Sequence, residues 1–163
     1  AAGISPRAER RAGMVRGTRK MADTGYSSFN TTVDKTNRVL NEIEQACGWT
    51  KAQRNRSYAA LRAVLHAVRD RLTVDASAQL AAQLPLLVRG IYYDGWNPSS
   101  VPVKADKEEF LDRVRREFPF PINDEEVEKL THAVLNTLRR HVTEGEWDHI
   151  RMNMGRKLAS MVA

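Results

Sequence analysis

The sequence predicts an all-α protein in which two pseudo-symmetric three-helix repeats pack as one helical bundle. Apolar residues recur at helical spacing from about Thr32 to the C-terminus, and the alternation typical of strands is absent. Residues that favour helix N-caps stand just before these apolar runs, each followed three residues later by Glu or Gln, which is the spacing of a capping box. These pairs are Thr50 and Gln53, Asp106 and Glu109, Asn123 and Glu126, and Thr143 and Glu146.

The first half of the chain predicts helices over about residues 32–46, 51–72 and 74–93. The second helix has the clearest apolar stripe, with residues three and four apart that we expect to face the core. This stripe comprises Tyr58, Leu61, Leu65, Val68 and Leu72. Thr73 is the predicted N-cap of the third helix. Pro85 lies inside that helix and lacks an amide proton, so we expect the helix to kink or split there.

The second half predicts helices over about residues 107–118, 124–142 and 144–161. A Pro- and Ser-rich linker, from Trp96 to Ala105, separates the two halves. Pro119 and Pro121 end the fourth helix, because neither can continue it.

The two halves also resemble each other when the chain is shifted by seventy residues. Residues 62–73 (RAVLHAVRDRLT) then lie over residues 132–143 (HAVLNTLRRHVT), and Pro85 lies over Gly155. We therefore predict two repeats, over about 29–96 and 106–162. A unit of about sixty residues is rarely stable alone, because it buries only around 60% of its unfolded surface, so we expect both to form one domain over 29–163.

These residues carry a family resemblance. The stretch RAVLHAVRDRLTVDASAQLAAQLPLLVRGIYYDGW, followed by EEFLDRV, resembles the bacterial family catalogued as domain of unknown function 2267. The similarity runs from roughly Phe29 to Val162. It implies a small bacterial all-helical protein of uncharacterised function, and it transfers no catalytic residues.

The charge of the chain is concentrated at its N-terminus. Of the net charge of +6, residues 1–20 carry +5, whereas residues 21–163 hold 20 basic and 19 acidic residues. We predict a flexible basic arm over residues 1–28. The arm has three open interpretations: a contact for nucleic acid or an acidic partner, an Arg-rich targeting leader, or a solvated extension upstream of a natural start at Met21. Its basic residues are Arg7, Arg10, Arg11, Arg16, Arg19 and Lys20.

Several classes of protein fit the sequence poorly. No apolar run approaches the roughly 18 residues of a membrane span, and no secretory signal is present, so we predict a cytoplasmic protein without membrane association. The single cysteine, Cys47, excludes an intrachain disulfide framework. Glu146 and His149 have a di-iron spacing, but the repeat positions Ala76 and Gln79 do not match it. No hydrolase or phosphate-binding motif occurs, so we predict no catalytic residues, metal ligands or cofactor.

Two groups of residues are candidate contact surfaces. Tyr92, Tyr93 and Trp96 form an aromatic group that lines a partner face or closes the seam between the repeats. A basic flank runs along the second helix beside the core stripe, and its repeat partners form a second row. Together the two rows are a candidate surface for a partner or a polyanion, and they consist of Arg62, His66, Arg69, His132 and Arg139. A solvated helix flank is the simpler interpretation.

The function predicted from the sequence is a non-enzymatic protein-interaction or structural module that binds an unknown partner or itself. The alternative is a sequence-independent nucleic-acid-binding protein that uses the basic arm and the flank of the second helix. A helical protein that binds a metal or small ligand is the third interpretation.

Overall fold

The computed structural model describes residues 23–163, which contain seven α-helices and no strand, confirming the predicted all-helical class. The helices are α1 (Ser27–Cys47), α2 (Arg54–Arg71), α3 (Val74–Gln83), α4 (Leu86–Tyr93), α5 (Lys107–Glu117), α6 (Asp124–His141) and α7 (Glu144–Met154). Short 3₁₀ turns lie at Lys51–Gln53, Pro98–Ser100 and Arg156–Leu158. The six basic residues of the predicted arm lie outside the described residues.

Helix α2 is the centre of the bundle. It packs against α1, α4, α5, α6 and α7, while α3 packs against α7 and α1 packs against α6. Four buried alanines explain how one helix accommodates so many neighbours, since a methyl side chain lets another helix approach closely. These are Ala59, Ala60, Ala63 and Ala67. The long residues Leu61 and Leu65 fill the space between them and are fully buried.

The cap residues stand where the sequence places them. The side chains of Asp106, Asn123 and Thr143 each accept a hydrogen bond from the amide three residues later. Thr73 does the same for Ala76, at 3.2 Å. One boundary and one core position were predicted less well. The first helix begins at Ser27 rather than near residue 32. The regular apolar spacing that predicted this helix starts only after its first turn. Tyr58, which we expected in the core stripe, is 42% exposed.

Pro85 splits the third predicted helix into α3 and α4, as expected. The side chain of Arg89 satisfies carbonyl groups that the break frees, donating to Ala81 O at 2.7 Å and to Leu84 O at 3.2 Å. On the other side of the break, the Leu87 amide donates to Thr32 Oγ1 of α1 at 2.9 Å. These contacts hold the start of α4 against α1, which decides where its first leucines lie.

An ion pair between a buried carboxylate and a partly exposed guanidinium joins α1 to α2. Arg54 donates from Nε and Nη2 to the two carboxylate oxygens of Glu44, at 3.1 and 3.2 Å, and Ser57 Oγ donates to the same carboxylate. Burial opposes ionisation of Glu44, but the hydrogen bonds from Arg54 and Ser57 outweigh it and lower the pKa of the carboxyl. Glu44 is therefore a charged group fully enclosed between two helices.

None of the helices in residues 23–163 has the length and apolar character that crossing a membrane requires.

Candidate interaction surface

Large hydrophobic side chains are exposed mainly in one place. Within residues 23–163 seven such side chains are exposed, and five of them lie where the starts of α1, α2 and α4 meet. We call this set the apolar face. It consists of Tyr26, Phe29, Tyr58, Leu86 and Leu87. The other two, Val74 and Met152, lie on α3 and α7, away from the face.

The apolar face borders a shallow groove of about 610 Å³. Thr32, Val33, Gly90 and Ile91 line it together with four members of the face. At its edge the rings of Tyr26 and Phe29 meet edge to face, with their centroids 5.0 Å apart. A Cβ at Gly90 would meet nothing within 4 Å, so the groove is open to solvent above this position.

The orientation of α4 explains why Leu86 and Leu87 are exposed. Val88 and Tyr92, four residues apart, point into the core and are fully buried. Leu86 and Leu87 precede them in the first turn, which the Pro85 break and the Thr32 contact hold at the surface. Leu86 is 58% exposed, an unfavourable position for leucine unless another surface covers it.

A charged cleft of about 430 Å³ adjoins the apolar face. Arg62 and Asp94 line both features, and their side chains form an ion pair of 2.7 Å. The Asp94 hydrogen bond raises the pKa of the Arg62 guanidinium. Glu117 of α5 lies 3.5 Å from Arg62 Nε. The guanidinium thus has two carboxylate neighbours, although no acidic residue is near it in the local sequence.

His66 lies at the inner wall of the cleft and is buried, not beside the core stripe as we expected. Its Nε2 donates to Ile91 O at 2.7 Å, and its Nδ1 is paired with the Glu117 carboxyl. A carbonyl oxygen only accepts, so Nε2 carries a proton. Because both ring nitrogens are engaged, His66 ties α2 to α4 and α5 and has no nitrogen left for a substrate.

Arg69 is also buried, which corrects its predicted position on a solvated flank. Its Nη1 donates to Tyr92 O at 3.0 Å and to Asp94 O at 2.8 Å, and its Nε donates to Asp70. These carbonyls are at the C-terminal end of α4, where helices leave acceptors unpaired and favour a cation. Arg69 therefore caps α4 from a neighbouring helix.

The second predicted row lies on α6 and does not join the cleft. His132 is 3.8 Å from Glu128 of the same helix. Arg139 donates to Ala163 O at 3.0 Å. The structure thus brings Arg62, His66 and Arg69 together and leaves His132 and Arg139 elsewhere.

The aromatic group packs largely inward. Tyr92 is fully buried, and burial raises the pKa of its hydroxyl. Tyr93 lies between Tyr92 and Trp96, with ring centroids 5.2 Å from each. Tyr93 and Trp96 are half-buried. Of this predicted contact patch, then, only parts of two side chains reach the surface.

Two other ionisable side chains, Cys47 and Glu146, have pKa values raised by burial. Burial raises the pKa of the Cys47 thiol, which disfavours the nucleophilic thiolate. Burial likewise raises the pKa of Glu146. In the part of the chain described, no three His, Cys, Asp or Glu residues are grouped as a metal site would need.

The sequence interpretation missed the apolar face. Leu86 and Leu87 fell within the third predicted helix and were assigned to no surface, and Tyr26 fell within the predicted arm. The available signal was Pro85, because a helix that restarts after proline exposes its first turn unless another element covers it.

Comparison with protein-family models gives a match over most of the chain. A family model described as "Uncharacterized conserved protein (DUF2267)" matches residues 36–161, which include Tyr58, Leu86 and Leu87. No curated protein matches the chain.

Proposed function

The chain belongs to the family described as uncharacterized conserved protein (DUF2267), and we propose that it is a non-enzymatic protein-interaction module that binds through the apolar face. The observation that carries the proposal is the concentration of five exposed large hydrophobic side chains around one groove. Scattered apolar residues are normal on a protein surface, whereas a contiguous patch is typical of a binding surface.

The size of the face supports a protein partner. Half-exposed side chains of these types together offer on the order of 400 Å² of apolar surface. A standard interface buries about 800 Å² on each partner, of which a little over half is apolar. The face is therefore large enough to form the apolar centre of such an interface.

The chemistry of the cleft supports a non-enzymatic role. A general base needs a free atom within hydrogen-bond reach of its substrate. Both ring nitrogens of His66 are engaged within the protein, and Arg69 is occupied by the end of α4. Each of these groups stabilises the bundle that presents the apolar face.

Nucleic-acid binding has less support among the described residues. Arg62 is paired with Asp94 and near Glu117, and His66 and Arg69 are buried. A guanidinium that already has carboxylate neighbours contributes little attraction for phosphate. This alternative then depends on the six basic residues of the predicted arm.

We also infer that the bundle consists of two repeats. Thr73 and Thr143 both cap helices that follow an extended residue, Leu72 or Val142. The next helix is interrupted at Pro85 in the first half and at Gly155 in the second. These corresponding features support a duplicated unit.

The proposal is tested by protein capture with matched variants of the full chain. The face variant is Leu86→Ser with Leu87→Ser, and the control is Val74→Ser with Met152→Ser, which removes two exposed apolar side chains elsewhere. We expect the wild type and the control to capture the same proteins from native lysate, including further copies of this chain, and the face variant to lose them. Identical capture by all three would contradict the proposal.

A further inference from the structure

The apolar face is bordered by one cation and one anion, so two copies of this border can have complementary charges. Arg62 and Asp94 stand together where the groove meets the cleft, and their side chains are 30% and 63% exposed. In an interface with two-fold symmetry, residue i of one copy contacts residue j of the other, and j contacts i. A surface that presents one cation beside one anion can therefore place each opposite its counterpart on a second copy.

The groove itself is suited to the same arrangement. Its apolar lining comes from three helices: Phe29 lies on α1, Tyr58 on α2, and Leu86 and Leu87 on α4. A two-fold rotation can set the aromatic side chains of one copy against the leucines of the other. Gly90 leaves open space in the groove for an incoming side chain.

Electrostatic repulsion between the folded parts is weak. Residues 21–163 hold 20 basic and 19 acidic residues, so this part of the chain is nearly neutral. Low net charge favours association of like molecules, because little long-range repulsion opposes their approach.

We propose that the partner of the apolar face is a second copy of this chain, in a two-fold dimer in which Arg62 of each copy faces Asp94 of the other. This inference rests on the proposed interaction function and names its partner. The dimer buries Leu86 and Leu87 of both copies, which accounts for leucines that the isolated chain leaves exposed. It also gives the Arg62–Asp94 pair a role at the contact, in addition to joining α2 to the turn after α4.

The test is sedimentation velocity of the full chain over a loading series from about 1 μM to about 200 μM, the range in which interfaces of modest size dissociate. We expect the wild type to shift from monomer to dimer with concentration. Leu86→Ser with Leu87→Ser raises the dissociation constant at least about tenfold, because these residues lie at the centre of the contact. The control, Val74→Ser with Met152→Ser, leaves it unchanged.

Two additional measurements distinguish loss of the contact from unfolding and from bridging by nucleic acid. Circular dichroism melting verifies that all variants remain folded, as expected for substitutions at exposed positions. Repeating the series with nuclease and at about 0.5 M salt removes any dimer bridged by nucleic acid, whereas an apolar contact persists. A wild type that stays monomeric throughout would overturn the dimer, and so would a dimer equally stable in the face variant. The capture experiment separately decides whether the face binds other proteins, so the two proposals fail independently.

Discussion

Arg62 of α2 and Asp94, directly after α4, form a 2.7 Å ion pair at the border between the apolar face and the charged cleft. The pair therefore joins the wall of the charged cleft to the exposed apolar face. On the cleft side, His66 and Arg69 hold the end of α4 in place. On the other side, the start of α4 presents Leu86 and Leu87.

Arg69 and Arg139 occupy equivalent places in the predicted repeats but differ in burial, which gives a first prediction. Arg69→Met retains much of the apolar stem of the side chain but leaves the carbonyls of Tyr92 and Asp94, at the C-terminal end of α4, without a donor. We therefore expect a loss of about 2 kcal/mol in the free energy of unfolding. Arg139→Met, at an exposed position, should change it by less than about 0.5 kcal/mol. Urea unfolding of both variants measures the difference. Equal losses would contradict the capping role of Arg69.

The N-caps Thr73 and Thr143 give a second prediction. Each Thr→Ala substitution should cost about 1 kcal/mol, because an early helix amide loses its acceptor. Thr143 also contacts Gln83 of α3, whose side-chain oxygen accepts from the Thr143 amide at 2.9 Å and whose amide donates to Thr143 Oγ1. The sequence pattern predicted that the Glu146 side chain would accept from the Thr143 amide, whereas in the structure Gln83 accepts this hydrogen bond.

The loss at Thr143 should therefore exceed the loss at Thr73, and the excess should vanish when both variants also carry Gln83→Ala. Thermal melting of the four chains provides this double-mutant comparison. An excess that survives in the Gln83→Ala background would assign the extra stability to another contact.

The ion pair of Glu44 and Arg54 gives a third prediction, on pH. The pKa of Glu44 is lowered in the folded state, so its stabilising effect is fully present above the ordinary value of 4.5 and is lost as the pH falls through the folded value. The stability difference between the wild type and Glu44→Gln should accordingly be larger at pH 7 than near pH 3, as measured by urea unfolding. A difference that does not depend on pH would contradict the charged state of Glu44.

Removing the other partner should cost more. Arg54→Gln leaves the Glu44 carboxylate buried with only Ser57 as a donor, and we expect a loss of about 3 kcal/mol. In Glu44→Gln the remaining guanidinium is one-third exposed and water reaches it, so the loss at pH 7 is smaller. A larger stability loss for Glu44→Gln than for Arg54→Gln at pH 7 would show that Arg54 is the more enclosed charge.

The nucleic-acid alternative gives a fourth prediction. Because Arg62 already has carboxylate neighbours, Arg62→Gln should change the affinity for duplex or single-stranded probes less than about twofold. Any binding should be sequence-independent, with dissociation constants of about 1 μM or weaker near physiological salt. Fluorescence anisotropy in a salt titration measures it, with Gln at all six basic positions of the predicted arm as the comparison variant. A tenfold loss in Arg62→Gln would place nucleic acid on the flank of α2.

Local sequence patterns predicted the fold of this protein more fully than its surface. Helix class, caps such as Asn123 and the break at Pro85 depend on neighbouring residues, so local patterns were sufficient to predict them. The burial of His66 and Arg69 depends on carbonyls of Ile91 and Tyr92, more than twenty residues away. A charged side chain on a helix flank looks solvated until such distant acceptors are known.

The apolar face was missed for a related reason. Tyr58 fits the core stripe by spacing, yet α2 has neighbours on so many sides that spacing alone does not decide which residue lies at the rim. Leu86 and Leu87 are apolar residues in a helix, which normally indicates burial. Only the position of α4 against α1 leaves them at the surface.

The most direct test of the central claim is charge exchange across the proposed dimer. Arg62→Glu sets two acids against each other at both symmetric contacts, and Asp94→Lys sets two cations against each other. Each variant alone should therefore dimerise at least about tenfold more weakly than the wild type. In an equimolar mixture every contact again joins opposite charges, so sedimentation velocity with one variant labelled should show a heterodimer of near wild-type affinity. A mixture that remains as monomeric as either variant alone would contradict a two-fold contact through this face.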